Sequence, residues 1–437
     1  MATWQRPGDE GVAGILAGLA ERYLGAALPV GLVAWDGSTA GPLDGPRVVV
    51  RHRRALRRLL WDPSELGLAR AFVAGDLDVD GDPTDGLRCC WALVRDGRAG
   101  RPRLTVADRL AAVKIAARLR VLGPRPRPPA EEARTRGRLH SLARDRSVIA
   151  YHYDLGNDFY EAILDPTMAY SCAYFHTPDQ PLAEAQRAKL DLICRKLDLR
   201  PGQRLLDVGC GWGSLILHAA EHYGVHATGV TLSQEQARLV RERASERGLT
   251  DRVDVQWCDY RELSGTPFDA VASIEMGEHV GAADYPRYAG ILHRMLRPGG
   301  RLLLQQMSRA HVAPGGGAFI SAYIAPDMTM SPVGTTLGHL ERAGFEIRDV
   351  HALREHYVHT VRAWERTLAE RVERVTAIAG AAQVRIWRLY FAGGALAFEE
   401  NRMGVNQILA TRTTVDGSSG MAPTRDGWEA GAPAVPA

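Results

Sequence analysis

The sequence offers little material for a metal site or a disulfide framework. Its six cysteines include no CxxC pair, and its histidines form no cluster with the spacing of a zinc site. We therefore expect no bound metal and reduced thiols, which favours a cytoplasmic protein.

Long uninterrupted apolar runs are also missing. Glu21 and Arg22 interrupt the apolar stretch 12–35, and the acids Asp9 and Glu10 stand where a secretion signal would be apolar. We expect neither a membrane span nor a secreted protein.

Neither sign of charge is in large excess. The 54 Lys and Arg residues nearly balance the 51 Asp and Glu residues, and a net charge of +3 gives no reason to expect a nucleic-acid partner. The sequence has no internal repeat. Its 437 residues, 46% of them hydrophobic, can fill one large core and a smaller one, so we expect two domains.

From about Gln203 onward, short β-rich runs alternate with helical periods. This order is typical of an α/β fold in which helices cover a mostly parallel sheet. The predicted strands are RLLDVGC, HATGVTL, VDVQWC, FDAVASI, RLLLQQM and QILATR. The predicted helices are Leu215–Tyr223, Gln234–Arg247, Tyr285–Leu296, Val361–Ile378 and Val384–Asn401.

The motif DVGCGWG follows the first of these strands and opens a helix. Its glycines Gly209, Gly211 and Gly213 let the backbone approach a ligand closely, and the helix N-terminus favours a negative group. A dinucleotide site would need the third glycine one residue later and an acid at the end of the second strand, which ends instead in TLSQEQ. A tight structural turn is the alternative.

Four motifs together resemble a known family. DVGCGWG, TLSQEQ, EHVG and, upstream, YHYDLGNDFYEAILDPTMAYSCAYF resemble the cyclopropane-fatty-acyl-phospholipid synthase and mycolic acid synthase family of S-adenosylmethionine (SAM) methyltransferases. The resemblance runs from about Val148 to Arg412, and AFVAGDLDVDGD resembles the N-terminal domain of the longer, phospholipid-acting members. It implies a Rossmann-like class I methyltransferase domain with a mostly parallel, seven-stranded sheet, preceded by a smaller domain. Since the longer members are dimers, we expect a homodimer.

The resemblance also implies SAM as the cofactor and assigns residues to it. The implied residues are Tyr170, Ser171, Gly209 and Gly211 for the methionine part, Thr231, Leu232 and Gln236 for the ribose, and Asp259 and Tyr260 for the adenine. Ile274 and Glu275, which end the fourth strand, are also expected to face SAM.

The stretch SIEMGEHVG places two carboxylates and an imidazole after an apolar strand. Methylation of an isolated alkene leaves a carbocation, so its site must be dry and must hold a base. A carboxylate at the end of the fourth strand lies at the ligand edge of an open α/β sheet. The resemblance implies that Glu278, Tyr357 and Cys172 hold a bicarbonate ion as this base, and that Gln305 stands where many relatives have a histidine.

Structural alternatives remain for these candidates. Glu278 is alternatively a cap on the helix that starts near Ala283, and Cys172 a small buried thiol. For His279 an architectural role is favoured. The last long helix is alternatively plain core or the wall of an acyl tunnel formed by its aromatic residues Trp387, Tyr390, Phe391 and Phe398.

The region before the methyltransferase motifs is locally basic, with fifteen Lys or Arg against five Asp or Glu between Arg95 and Arg146. We expect a lipid- or membrane-associating domain over 1–125, a basic Pro-rich linker over 126–147, the methyltransferase domain over 148–412 and a disordered tail over 413–437. The amphipathic helix Thr105–Leu122, with Thr105 and Asp108 as a capping box, is expected to lie on the anionic inner face of the membrane. A solvated basic face is the alternative.

The leading functional hypothesis is methyl transfer from SAM to the double bond of an unsaturated phospholipid acyl chain. A small-molecule O- or N-methyltransferase and a non-catalytic SAM- or lipid-binding module are the alternatives. Gln305 cannot take up a proton as an imidazole can, so the position of the base is open. Because YIAPDMTMSPVG resembles the fatty-acid methyltransferases, we expect a methylene-branched product that a flavin- or nicotinamide-dependent partner reductase would reduce. A cyclopropane is the alternative.

Overall fold

The computed structural model describes residues 11–42, 44–97, 106–133, 137–142, 144–145, 155–309 and 317–428. The chain divides into two compact units. Unit 1 comprises Met1–Glu132, Gly317–Tyr323 and Ala379–Leu396. Unit 2 comprises Ala133–Gly316, Ile324–Ile378 and Ala397–Ala437. The two later segments of unit 1 fall within the predicted methyltransferase domain, whose predicted start at Val148 lies outside the described residues.

Unit 1 contains a small sheet with the strand order β2-β1-β3-β4. Strands β1 and β3 are parallel, and the two outer pairs are antiparallel. The strands are β1 (Gly31–Ala34), β2 (Thr39–Ala40), β3 (Arg47–Val50) and β4 (Leu77–Asp80). The helices are α1 (Val12–Leu24), α2 (Arg53–Trp61), α3 (Glu65–Val73), α4 (Pro83–Arg95), α5 (Val106–Arg118), α11 (Gly317–Tyr323) and all but the end of α15 (Ala381–Glu399).

An ion pair and a hydrogen bond hold the start of the predicted linker within unit 1. Arg70 of α3 donates to both oxygens of Glu132, at 2.6 and 2.7 Å, and both side chains are largely buried. The main-chain carbonyl of Arg127 accepts from Arg58 at 2.8 Å. Despite the Pro-rich composition, the start of the predicted linker over 126–147 therefore has specific polar partners within unit 1.

The predicted basic helix is present as α5. Its predicted cap residue Thr105 lies outside the described residues. Ala116, Leu119 and Val121, at the end of this segment, are buried in the core of unit 1. In the described part of the chain, no helix is both long and apolar enough to cross a bilayer.

Unit 2 is built on a seven-stranded sheet with the order β10-β11-β9-β8-β5-β6-β7. All neighbouring strands are parallel except β11, which is antiparallel to both β9 and β10. The strands are β5 (Arg204–Val208), β6 (His226–Thr231), β7 (Val253–Trp257), β8 (Phe268–Ile274), β9 (Leu296–Ser308), β10 (Glu346–Ala352) and β11 (Gly404–Thr411). The predicted mostly parallel α/β sheet is confirmed.

Helices pack on both faces of this sheet. They are α6 (Asn157–Ile163), α7 (Leu182–Leu197), α8 (Ser214–Tyr223), α9 (Gln234–Glu246), α10 (Tyr285–Met295), α12 (Val333–Arg342), α13 (Arg354–Glu370) and α14 (Val372–Ala379). Leu205 and Leu303 belong to one apolar cluster, whereas their neighbours Leu206 and Leu302 belong to the other. This is the alternation that a strand requires when both faces are covered, and it explains the continuous apolar runs.

One predicted helix differs from the structure. The helix predicted over Val361–Ile378 begins earlier, at Arg354, and is interrupted at Arg371, so it forms α13 and α14. Buried positions at helical spacing already start at Tyr357, which explains the earlier start.

The predicted disorder of the tail is wrong for residues 413–428. Arg425 forms an ion pair with Asp349 at 2.7 Å, and the Trp428 carbonyl accepts from Arg195 at 2.7 Å. The Trp428 ring also lies 5.9 Å from the Lys196 ammonium group. Specific polar contacts and one aromatic ring hold a segment whose composition alone indicates disorder. Residues 429–437 lie outside the described residues.

Candidate active site

The glycine motif forms the turn between β5 and α8 at the carboxyl edge of the sheet. Gly209, Gly211 and Gly213 have φ values of +84°, +52° and +79°, a region that side chains disfavour. A Cβ atom at Gly209 would also lie 2.7 Å from the Cγ atom of Met276. The turn therefore depends on glycine both for its backbone conformation and for the close approach of the chain after β8.

A cleft opens at this edge, and every residue predicted to contact SAM lines it. These residues are Tyr170, Ser171, Gly209, Gly211, Thr231, Leu232, Gln236, Asp259, Tyr260, Ile274 and Glu275. They come from the ends of β5, β6, β7 and β8, from the first turn of α9 and from the segment before α7. An open parallel sheet collects its ligands at this edge.

The charged residues that line the cleft include Lys189 and Asp207, which the sequence analysis did not identify. Lys189 of α7 is 1% exposed, and its Nζ atom donates to the Ser171 hydroxyl at 2.8 Å. Burial lowers the pKa of Lys189 and raises that of Asp207 to about 7, while the Lys189 charge opposes the second shift. The sequence analysis predicted no helix for the segment that forms α7. The available signal was a lysine at helical spacing from residues of the buried face, since Gln186 and Ile193 are buried as well.

Polar groups on the wall fit the SAM molecule that the resemblance implies. The Thr231 hydroxyl donates to Gln236 Oε1 at 2.7 Å, and the buried Gln236 Nε2 has no partner in the described structure. A ribose hydroxyl would satisfy this donor. Lys189 suits a carboxylate, and Glu275 suits a positively charged sulfonium.

The adenine end of the cleft is shaped by an ion pair. Both carboxylate oxygens of Asp259 accept from Arg261 at 2.7 Å, and Asp259 caps the short helical turn that follows. The Tyr260 ring packs edge-on against Tyr288 at 5.4 Å. Asp259 and Tyr260 therefore form the wall expected beside an adenine. The Asp259 carboxylate is already paired with Arg261.

Three of the four predicted catalytic residues meet at Glu275. Glu275 Oε1 accepts from the main-chain amide of Cys172 and from Gln305 Nε2, both at 2.8 Å. Glu275 Oε2 accepts from the Tyr357 hydroxyl at 2.6 Å. Burial raises the pKa of Glu275, and these three donors together with the charge of Lys189 oppose the shift.

Glu278, the fourth predicted catalytic residue, lies apart from this group. It is fully buried, it does not line the cleft, and its Oε1 atom accepts from the main-chain amide of Met307. Its Oε2 atom has no partner in the described structure. Burial raises the pKa of Glu278 to about 8, to which the nearby Glu275 charge contributes. Its contact is with β9 and not with the start of α10, so it is not the predicted helix cap.

Cys172 and Gln305 contact Glu275 through atoms that the sequence analysis did not identify. The Cys172 sulfur lies next to the carbonyl oxygens of Ala173 and Leu353, and burial raises the pKa of the thiol well above its usual value. Its main-chain amide makes the contact with Glu275. The Gln305 amide is oriented by Gln407 of β11, whose Nε2 atom donates to Gln305 Oε1 at 3.0 Å. The sequence contained no signal for Gln407, because the pairing depends on strand register.

The remaining candidates lie partly in unit 2 and partly in unit 1. His279 lines the cleft. Phe398 stacks on the Tyr357 ring with centroids 4.4 Å apart, and within unit 1 Trp387 packs edge-on against Tyr390 and Phe391. Among the described residues, no group of three or more potential metal ligands comes together.

The seven-stranded sheet, the glycine turn and the polar lining of the cleft define a class I SAM-dependent methyltransferase. A family model described as mycolic acid cyclopropane synthetase matches residues 140–408. A protein of Mycobacterium tuberculosis named "Probable fatty acid methyltransferase" is 37% identical over 92% of this chain and 95% of its own length. The chain therefore belongs to the mycolic acid cyclopropane synthetase family.

Two further comparisons agree with this assignment. A protein named tuberculostearic acid methyltransferase, also of Mycobacterium tuberculosis, is 32% identical over 91% of this chain and 91% of its own length. A solved mycolic acid cyclopropane synthase in complex with SAH and CTAB is 32% identical, has a TM-score of 0.58, and covers 61% of this chain and 97% of its own. SAM is the cofactor that this family binds, and it is the cofactor of this chain.

Proposed function

We propose that the protein transfers a methyl group from SAM to the double bond of an unsaturated phospholipid acyl chain and yields a methylene-branched chain. The observation that carries this proposal is the carboxylate of Glu275, held by Tyr357, Gln305 and the Cys172 amide at the wall of the cofactor cleft. A nucleophile with a lone pair, as in O- or N-methylation, needs no such apparatus. An alkene does, because its methylation leaves a carbocation.

The residues of the chain have separable tasks in this reaction. Bound SAM supplies an electrophilic methyl group. Lys189 and Ser171 are suited to the methionine carboxylate, and the Thr231–Gln236 pair to the ribose. Buried aromatic side chains such as Phe398 keep water from the carbocation, and the fixed negative charge of Glu275 stabilises it.

The nature of residue 305 supports the methylene product. Gln305 is bound on both sides, by Gln407 and Glu275, and an amide does not take up a proton near neutral pH. The relatives named fatty acid methyltransferase and tuberculostearic acid methyltransferase match more than nine-tenths of the chain. A flavin- or nicotinamide-dependent partner reductase would then reduce the methylene group. A cyclopropane product, suggested by the solved cyclopropane synthase, is the second candidate.

Expression in a bacterial host that makes oleoyl phospholipids and lacks such a reductase tests the proposal. Mass spectrometry of the fatty acids should show a methylene-stearoyl species. A dominant cyclopropane would overturn the product and leave the methyl transfer standing. Unchanged fatty acids, from a protein that still binds SAH in calorimetry, would overturn the proposed reaction and favour a non-catalytic binding module.

A further inference from the structure

Glu275 connects the cofactor cleft to the predicted catalytic group. None of the four predicted catalytic residues lines the cleft, whereas Glu275 does. Three of the four, Cys172, Gln305 and Tyr357, donate hydrogen bonds to its carboxylate. Any reacting group in the cleft therefore meets Glu275 before it meets these three.

The three donors converge from separate parts of unit 2. Cys172 precedes α7, Gln305 lies on β9 and Tyr357 lies on α13. A planar oxyanion such as bicarbonate would need the same kind of donors that a carboxylate needs. Because Glu275 takes these donors and brings its own negative charge, a second anion at the same place would lack partners and be repelled.

The backbone at Glu275 supports the same assignment. Its φ value is +52°, in the left-handed region that glutamate rarely adopts, and its main-chain amide donates to the Gln305 carbonyl at 2.7 Å. Such a conformation persists only where the surroundings hold it, and it concentrates at functional sites. The three donors and the contact with β9 hold it here.

We propose that the carboxylate of Glu275 is the catalytic base of this enzyme and takes the place of the bicarbonate ion expected from the resemblance. The inference rests on the proposed function. It makes Gln305 and Gln407 positioning residues and gives Tyr357 the task of fixing the orientation of the base.

The chemical step balances with this single base. The π electrons of the acyl double bond form the new bond to the methyl carbon, and the electron pair of the breaking carbon–sulfur bond stays with sulfur. Glu275 then accepts a proton from the transferred methyl group. The electrons of that C–H bond form the exocyclic double bond after a hydride shift, or close the ring directly in the cyclopropane case. The proton leaves Glu275 for solvent after product release.

Glu278 is less suited to this step. It lies outside the cleft, and its pKa of about 8 keeps it protonated near neutral pH. A protonated carboxyl group cannot accept the proton. Burial raises the pKa of Glu275 as well, but its three hydrogen bonds and the Lys189 charge oppose this shift and favour the ionised form of Glu275.

Three forms of the protein test the inference: wild type, E275Q and E275G. Glycine accepts the positive φ and leaves room for a small anion among the three donors, whereas glutamine fills the space and serves as the matched control. Turnover is measured at saturating SAM in bicarbonate-depleted buffer, with added bicarbonate or nitrate. Nitrate is planar and accepts hydrogen bonds, but it is not a base. Thermal unfolding of the SAH-bound protein reports anion binding independently of activity.

We expect wild-type turnover to be unaffected by bicarbonate, and both variants to lose about 100-fold or more in its absence. Bicarbonate should restore E275G at least about tenfold and leave E275Q unchanged. Nitrate should raise the melting temperature of E275G without restoring turnover.

Three results would overturn the inference. Wild-type turnover that requires bicarbonate would return the role of base to the ion. Equal rescue of E275G by nitrate would reduce Glu275 to a structural role. If neither anion raises the melting temperature of E275G, the three donors form no oxyanion site. If the wild type methylates no lipid at all, the proposed function fails, and the melting experiment still tests the oxyanion site.

Discussion

The two carboxyl groups after β8 are three residues apart in sequence and differ in what surrounds them. Glu275 has three hydrogen-bond donors and a nearby ammonium group, whereas Glu278 has one main-chain donor and the like charge of Glu275 nearby. The environment, and not the residue type, therefore separates a group suited to accept a proton from a group that holds one.

This difference predicts how the protonation of Glu278 makes the stability of the protein depend on pH. Its pKa rises from an ordinary 4.5 to about 8 in the folded protein, so between these values the folded state holds a proton that the unfolded chain has lost. The protonated Glu278 contributes fully to the free energy of unfolding below pH 4.5. As the pH rises from there, this contribution falls by about 1.4 kcal/mol per pH unit, and it is lost as the pH passes 8. E278Q removes this titration and keeps an acceptor for the Met307 amide.

Urea unfolding of wild type and E278Q at several pH values measures the effect. Between pH 5 and pH 8, the free energy of unfolding of E278Q should rise by a few kcal/mol relative to that of wild type. Asp207 titrates in both proteins and cancels in the difference. A difference that does not change with pH would show that Glu278 is ionised in the folded protein throughout this range.

At the residue scale, the sequence predicted the members of the site better than their contacts. All eleven cofactor candidates line one cleft, because motif and strand-end position are local signals. Glu275 was placed at the cofactor, but its bonds to Cys172 and Tyr357 span 103 and 82 residues and depend on packing. Gln407 was missed for the same reason, whereas Lys189 was missed although its spacing from buried neighbours gave a local signal.

At the scale of single elements, the turn between β5 and α8 makes the clearest prediction. Alanine at Gly209 or at Gly211 would have to adopt a positive φ, which costs roughly 1–2 kcal/mol in either place. Only at Gly209 does the new Cβ meet a neighbour, Met276, at 2.7 and 2.8 Å. This overlap adds about 1–3 kcal/mol. G209A should therefore be less stable than G211A by that added amount.

Urea unfolding without ligand compares the two variants directly. G211A is the control for the cost of the positive φ, which both variants share. Equal losses of stability would indicate that Met276 moves aside without cost.

The order and type of elements were largely predictable, and their ends were not. The predicted strands of unit 2 are all present, because buried parallel strands give continuous apolar runs that end in turn residues. The break at Arg371 and the ordered tail were not predictable, since both depend on partners far away in sequence. Arg371, for example, donates to the Ala162 carbonyl at 3.0 Å.

At the scale of the whole molecule, the substrate imposes a requirement on unit 1. A phospholipid acyl chain lies in a bilayer, and we propose that α5 brings the protein to its anionic surface. Leu110 and Val113 are 59% and 54% exposed, and Lys114 and Arg118 on the same helix are also exposed. Exposed apolar side chains beside basic ones are typical of a helix at a membrane interface.

Co-sedimentation with liposomes tests this proposal. Binding should rise with the fraction of anionic lipid and fall with salt, since each basic residue near the surface contributes about 1 kcal/mol. The double variant K114Q/R118Q should therefore bind roughly tenfold more weakly or worse. The matched control R200Q/R238Q removes two exposed arginines from unit 2 and should bind like wild type. If lipid charge and salt have no effect, the exposed face of α5 is better explained as a contact between two copies of the chain, and sedimentation velocity of the same variants would then show a shift from dimer to monomer.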